Sequence, residues 1–326
     1  NRFEGDPNFP LLKKALLVTG KKMIPTYLLC DCESDRDYDP ETLSVMGCRT
    51  RVVDDRFGKT GAIGRGNIAN ISINLPRLAV EVSKGTENNP EISFPEKMEL
   101  MYSKVEKVSD ICTQVLVDRY HKTVSNSLEN FPTNCQYNLL CENMKEVGVE
   151  KTLRHGTLSI GFIGLSEAME ILSGKKFWKN PVVYEHSLKL VQKMRDYTNR
   201  VSEEQNLNFS LLATSGELIS GRFVELDQKK YGSFPVMEKG YYTNSFHVDV
   251  DSGLPAKTKL KLEGPFHKYA NGGSISYVEL KEAPLGNYEG LDELLETAVE
   301  SGVRYLGFNF PKDVCKECGA SGTFDE

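Results

Sequence analysis

Cysteine is the residue type on which the chemistry of this chain turns. Cys48 stands alone between Gly47 and Arg49 in Val45-Met46-Gly47-Cys48-Arg49-Thr50, a short apolar run closed by a charged segment. Glycine lacks the Cβ that blocks close approach, so such a loop can carry a small side chain into a cavity. The same string also reads as a buried cysteine beside a turn. Cys315 and Cys318 form a CxxC pair, one edge of a tetrahedral zinc site that needs two further ligands. The chain has no second CxxC, and no histidine lies near this one in sequence. Cys30 and Cys32 form a CxC that reads either as a metal pair or, more plainly, as two ordinary thiols at a strand end.

Two polar stretches could hold a ligand. Thr214-Ser215-Gly216-Glu217 follows an apolar run and precedes a helical pattern, where exposed N–H groups and the helix dipole suit a phosphate. A plain capping turn fits the same residues. Thr243, Asn244, Ser245 and His247 make a polar cluster that could reach a substrate, and each could equally be a satisfied loop residue.

The elements that must position these groups follow from periodicity. Residues 10–21 read as a helix end and a turn, and 23–30 as a buried strand. Residues 54–59 read as a polar turn. Ile71, Ile73 and Leu75 alternate along a strand spanning 68–75. Pro95 opens a helix with Met101, Val105, Val108, Cys112 and Val115 on one stripe, which makes Cys112 a packing residue. Residues 134–150 read as short helices, and Cys135 and Cys141 there show no partner pattern. A strand over 158–163 leads to a helix from 166. A long helix over 181–205 places Tyr184, Leu188 and Val191 on one face. A strand over 208–213, a helix near Arg222, a helix over 259–270, a strand over 274–280, a helix over 291–301 and a strand over 305–310 complete the pattern. Strands alternating with helices at this pace predict a parallel α/β sheet.

With 326 residues the chain has ample material for a core, as one large α/β domain or two ordinary ones. Hydrophobic content of 39% and charged content of 26% are those of a soluble globular protein. No apolar run approaches the ~20 residues of a membrane span, and the N-terminus is not that of a signal peptide. A net charge of −6 argues against broad binding to nucleic acid or anionic membranes. Eight cysteines are too sparse for a disulfide scaffold and suit thiol or metal chemistry in a reducing cytoplasm.

The strings MGCRT (46–50), GRGN (64–67) and INLPR (73–77), with HGTLSIGFIGL (155–165) and YYTNSFH (241–247), resemble the anaerobic (class III) ribonucleoside-triphosphate reductases. The resemblance runs in order from about Thr26 to the end of the chain. It implies a ten-stranded α/β barrel of two five-stranded halves with a cysteine finger at its centre. Residues 1–311 would be its later part, with the finger around 45–67, and 312–326 would begin a truncated zinc ribbon. It implies that Cys48 carries a transient thiyl radical that takes the 3′ hydrogen of a ribonucleoside triphosphate, a chemistry that wants an S–H shielded from water. Met46 and Asn67 would line a pocket for formate as reductant, the amide holding the carboxylate and the thioether walling it. Triphosphate would bind at 214–217, where the family's Thr-Pro-Ala-Glu-like turn is replaced by Thr-Ser-Gly-Glu. Structural zinc would take Cys315 and Cys318 plus a second CxxC, and the glycyl radical and a second catalytic cysteine would lie outside this chain. The implied partners are a radical-SAM iron–sulfur activating enzyme and a second copy of the chain. Allosteric control and deoxyribonucleotide synthesis for DNA replication come with the family. Two other readings stay open: a glycyl-radical enzyme of the pyruvate formate-lyase kind, which typically places two adjacent cysteines on the finger, and a non-catalytic nucleotide- or zinc-binding module.

Overall fold

The computed structural model describes residues 3, 5–319, 321 and 322. In chain order the strands that matter are β1 (Tyr27–Leu28), β2 (Val45–Met46), β3 (Thr50–Arg51), β4 (Asn67–Asn74), β5 (Thr157–Ile163), β6 (Asn208–Ala213), β7 (Ser276–Glu279) and β8 (Tyr305–Asn309). The chain forms two compact units, one of residues 38–249 and 266–274, the other of 1–37, 250–265 and 275–326.

The larger unit is built on β4-β5-β6, a wholly parallel sheet in that order. Every residue of β5 and β6 is buried, as expected when helices cover both faces of a parallel sheet. Each strand feeds a helix almost at once: β4 into Leu75–Gly85, β5 into Leu165–Ser173, and β6 into Glu217–Tyr231. Two long helices complete the unit. Phe94–Val124 starts with a capping box, Ser93 and Glu96 each bonding the other's backbone N–H. Pro181–Gln205 starts on Asn180, whose side chain accepts from Val183 N–H, and ends on left-handed Asn206. Both occur where periodicity predicts them, and Met101, Val105, Cys112 and Val191 are buried as expected, while the remaining positions of each stripe shift. Val115 is exposed and Leu116 buried, while Tyr184 and Leu188 are half-buried beside fully covered Val183, Leu190 and Met194.

The smaller unit holds a second three-stranded sheet, β1-β8-β7, in which β7 and β8 run parallel and β1 is antiparallel. The single parallel sheet expected from the element order is therefore two sheets, and one of them is mixed. Residues 10–21 are no helix end: Phe9–Lys22 is a continuous helix that buries Leu16 against Leu291, Leu295 and Ala298. Its Gly20 lies where a Cβ would stand 2.9 Å from the Pro284 carbonyl oxygen. That glycine permits a close approach and ends nothing. Among the described residues no helix is long and apolar enough to cross a membrane.

Candidate active site at the carboxyl edge of the parallel sheet

At the carboxyl ends of β4, β5 and β6 the polar groups are tied to one another. Ser72 and Thr214 share a hydroxyl–hydroxyl bond of 2.8 Å between β4 and the residue after β6. Asn244 bridges to Ile163 and accepts the Gly216 N–H at 2.9 Å. The carbonyls of Thr243 and Ser245 accept the N–H groups of Gly164 and Leu165, filling the open end of the helix that follows β5. Thr243 donates its N–H at 3.0 Å and its hydroxyl at 2.7 Å to Glu167, which is 2% exposed. Lys239 lies 2.7 Å from Glu167 and 2.8 Å from Asp249. Burial alone would pull the Lys239 ammonium below its ordinary value; the charges and hydrogen bonds of Glu167 and Asp249 outweigh it and hold it above.

The finger arrives as a hairpin. β2 pairs β3 with Val45 opposite Arg51 and Met46 opposite Thr50, closing on the turn Gly47-Cys48-Arg49. Its return strand is pinned by backbone, the Arg51 N–H donating to the Gly272 carbonyl at 2.8 Å. Gly273, at φ +120°, packs directly on the Arg49 carbonyl, where any Cβ would collide. Arg49 is buried, its Nη1 3.4 Å from His247 Nε2. Cys48 stands at the tip with its Sγ 2.9 Å from Ser215 Oγ. The predicted radical thiol and the predicted phosphate turn thus meet through their side chains. The thiol is exposed, however, and the shielding expected of it is not found in this chain.

A family model of anaerobic ribonucleoside-triphosphate reductase matches residues 1–326. The chain belongs to the anaerobic ribonucleoside-triphosphate reductase family. It is 31% identical to the reductase of Enterobacteria phage T4 over 327 residues, covering 98% of this chain and 51% of that protein. It spans about half the length of the curated relatives it matches. Among solved structures it resembles an anaerobic ribonucleotide reductase, with TM-score 0.68, 16% identity and coverage of 98% of this chain and 46% of the other. It also resembles a glycyl radical enzyme from Archaeoglobus fulgidus, with TM-score 0.56, 14% identity and coverage of 94% and 46%. These likenesses show the fold, the α/β barrel type of ribonucleotide reductases and glycyl-radical enzymes. The fold alone does not separate the reductase from its glycyl-radical rival; the match to the family model does.

Of the family motifs, INLPR is a scaffold. Asn74 caps the helix after β4, accepting from Arg77 N–H, and its amide donates to Asp227 at 2.8 Å. Arg77 Nε lies 2.6 Å and Tyr242 OH 3.0 Å from the same fully buried carboxylate. Asn67 is not beside Cys48's contact with Ser215. It opens β4 at the far end, and an eight-residue strand at roughly 3.3 Å per residue separates its ends by about 23 Å. Its amide donates to Thr157 Oγ1 at 3.0 Å and Ser159 Oγ at 2.5 Å, so both N–H groups assigned to formate serve the sheet. Met46 is half-buried in the hairpin. Ser245, at φ +45° and fully buried, and Thr243, held by Glu167, hold the loop in shape.

Cys315 and Cys318 close a tight turn through the Gly319 N–H to the Cys315 carbonyl. N–H groups of Cys318 and Glu317, with the Cys318 thiol, lower the Cys315 pKa, which favours the thiolate a metal takes. Among the described residues no group of three or more His, Cys, Asp or Glu is placed to hold a metal. The pair therefore fits zinc as half of a ligand set, and Cys30 and Cys32 do not complete it.

Sequence reasoning missed a charged cluster at the amino end of the sheet. His155, just before β5, sits between Asp55 Oδ2 at 2.6 Å and Glu142 Oε1 at 3.0 Å. Arg65 is buried and donates to the carbonyls of His155, Val53, Gly61 and Asp54. Burial pushes the Asp55 carboxyl up, but hydrogen bonds from His155, Asn208 and the Phe57 N–H, with the Arg65 charge, bring it below the ordinary range. The clue in sequence was the pairing of GRGN with HGTLS around an Asp-Asp-Arg turn.

Proposed function

We propose that this chain forms part of the catalytic region of an enzyme that reduces ribonucleoside triphosphates to deoxyribonucleoside triphosphates in the absence of oxygen, with Cys48 as the hydrogen-abstracting residue. The contact of Cys48 with Ser215 carries this reading, because it sets the finger thiol at the mouth of a strand-to-helix turn. As a thiyl radical, Cys48 would take the 3′ hydrogen, forming S–H and leaving the unpaired electron on the ribose carbon. Ser215 would position the sulfur, its hydroxyl serving as donor or acceptor. The N–H groups of Glu217, Leu218 and Ile219 precede the first intrahelical bond, from Ser220 to Gly216, and would face the triphosphate. Gly216 would take no part, since its N–H is given to Asn244. The Glu217 carboxylate would work against phosphate, and the Arg49 guanidinium beside Cys48 would supply the compensating charge.

Loss of the 2′ hydroxyl as water requires two electrons, which formate would supply on becoming carbon dioxide. A glycyl radical outside this chain would supply the unpaired electron, installed by a radical-SAM iron–sulfur activating enzyme. Cys315 and Cys318 would hold one side of a structural zinc, and the working enzyme would be a homodimer in a reducing cytoplasm. The test uses a polypeptide of the relatives' length containing this chain, activated under anaerobic conditions with a ribonucleoside triphosphate tritiated at C3′. Release of tritium and formation of deoxynucleotide are expected, and both are expected to vanish in Cys48→Ala with nucleotide binding kept. Reduction by the Cys48→Ala enzyme would refute the assignment.

A further inference from the structure

Strand β6 stands at the edge of its sheet, and its outer side is covered by a short segment from later in the chain, Asn271-Gly272-Gly273. The Asn271 side chain accepts the Leu211 N–H at 3.0 Å, and the Gly272 N–H donates to the Leu211 carbonyl at 2.8 Å. The Gly273 carbonyl accepts the Ala213 N–H at 2.9 Å, so three bonds fill the edge over the last three residues of β6. The opposite side of the same segment holds the finger. The Gly272 carbonyl accepts the Arg51 N–H at 2.8 Å, and a Cβ on Gly273 would stand 2.0 Å from the Arg49 carbonyl oxygen. Gly272 lies as close to the sheet: a Cβ there would stand 2.7 Å from Ser210 Oγ and 2.9 Å from the Leu211 carbonyl oxygen. A side chain at either position would push the strand or the hairpin away. All of these residues belong to the larger unit.

We propose that Asn271-Gly272-Gly273 is a spacer that sets the separation of the Cys48 thiol from the strand-to-helix turn, and that Asn271 and Gly273 are positioning residues. The segment touches the finger at Arg49, next to Cys48, and at Arg51. It bonds β6 at Leu211 and at Ala213, two residues before Ser215. Little free backbone therefore separates the spacer from either partner of the 2.9 Å contact between Cys48 Sγ and Ser215 Oγ. A misplacement of about 1 Å at reacting atoms can cost roughly 100-fold in rate. A cover that only kept β6 from pairing with another chain would need bonds to the strand and no contact with the finger. The spacer rests on the Cys48–Ser215 contact, and only its effect on turnover rests on the proposed radical reaction.

The test uses the full-length protein carrying this chain. In Ser215→Cys, diamide is expected to oxidise two thiols to a disulfide between positions 48 and 215, itself taking up the two hydrogens, with the yield read by peptide mapping. Adding Gly273→Ala is expected to slow this cross-link about tenfold or more. Asn271→Ala is expected to slow it about threefold and Asn271→Asp to restore it, because a carboxylate oxygen accepts the same N–H. With Ser215 in place, Asn271→Ala is expected to lower kcat about fivefold at unchanged KM for nucleotide, and Asn271→Asp to recover it. Where Gly273→Ala does not fold, the Asn271 pair decides. Cross-linking at the parent rate in the Asn271→Ala and folded Gly273→Ala backgrounds would overturn the spacer, as would no cross-link in Ser215→Cys alone. A slowed cross-link with unchanged kcat, or one that Asn271→Asp does not restore, would overturn the positioning role of Asn271. Slowed cross-linking in a protein that reduces no nucleotide would support the spacer while the radical reaction fell.

Discussion

The two ends of the parallel sheet are built from the same three strands and solve opposite problems. At the carboxyl end, neutral groups face one another: Ser72 with Thr214, Cys48 with Ser215, Gly216 with Asn244. Two carboxylates there are held by named partners, Asp227 by Arg77, Asn74 and Tyr242, and Glu167 through its Oε1 by Lys239 and Thr243. At the amino end, charge is the structural material itself, with Asp55, His155 and Arg65 interlocked out of water. Hydrogen-atom transfer moves no net charge, so a site for it gains little from nearby ions and is served by weak, reversible hydroxyl contacts. A scaffold gains from buried ions because each carbonyl and carboxylate that Arg65 satisfies fixes a loop in one geometry.

If that division is right, the ends should fail in different ways. Arg65→Ala is expected to cost about 4 kcal/mol of stability, since it strands four loop carbonyls and the buried Asp55. Its signature would be a lower thermal midpoint, with the surviving folded fraction still turning over. A variant of full stability but no activity would move Arg65 into the reaction and dissolve the comparison.

The next effect is one of pH. Asp55 titrates below its ordinary value in the fold, so its contribution is present above that value and is lost as pH falls through the depressed one. Lys239 titrates above its ordinary value, so its contribution is present below that value and is lost as pH rises through the raised one. Asp55→Asn is expected to lower the midpoint at neutral pH by an amount equivalent to about 2 kcal/mol, with the gap to wild type closing in acid. For Lys239→Met the gap should close in alkali instead. Gaps that close at the same extreme would show that the two clusters do not act separately.

Ser215→Ala should lower turnover by about tenfold, or ~1.4 kcal/mol of barrier, with the thermal midpoint unchanged because the lost contact is at the surface. A fall in stability without a fall in rate would make Ser215 a strut. The smallest effect, and the one that bears most directly on an expectation from the sequence, is Asn67→Ala. Two lost bonds to Thr157 and Ser159, both at the amino margin of the sheet, should cost about 1 kcal/mol of stability in all. The formate requirement should be little altered. A sharp rise in that requirement at unchanged stability would restore Asn67 to the reductant pocket, an outcome its hydroxyl partners permit, because they can donate to a turned amide and free its N–H groups.

Much of the fold was legible along the chain because its signals are local. The boundaries of Pro181–Gln205 and β6 follow from Asn180-Pro181, from Asn206 and from a continuous apolar run, each a cap or a burial pattern readable within a few residues. The finger could be found because Gly47, Cys48 and Arg49 are adjacent, and the strand-to-helix turn because Thr214 to Glu217 are. Tertiary structure alone decided which of these meet. Cys48 and Ser215 are 167 residues apart, Asp55 and His155 are 100 apart, and Arg77 and Asp227 are 150 apart. No periodicity specifies such pairs, since they depend on how strands order themselves in a sheet and on which glycine, such as Gly273, lets one backbone lie against another. For the same reason the family resemblance could assign Asn67 to formate without showing that its N–H groups reach Thr157 and Ser159, and Arg65 was left without a role. An amide or a guanidinium has the same bonding capacity everywhere, and only its neighbours in space determine whether that capacity is spent on a substrate or on the fold.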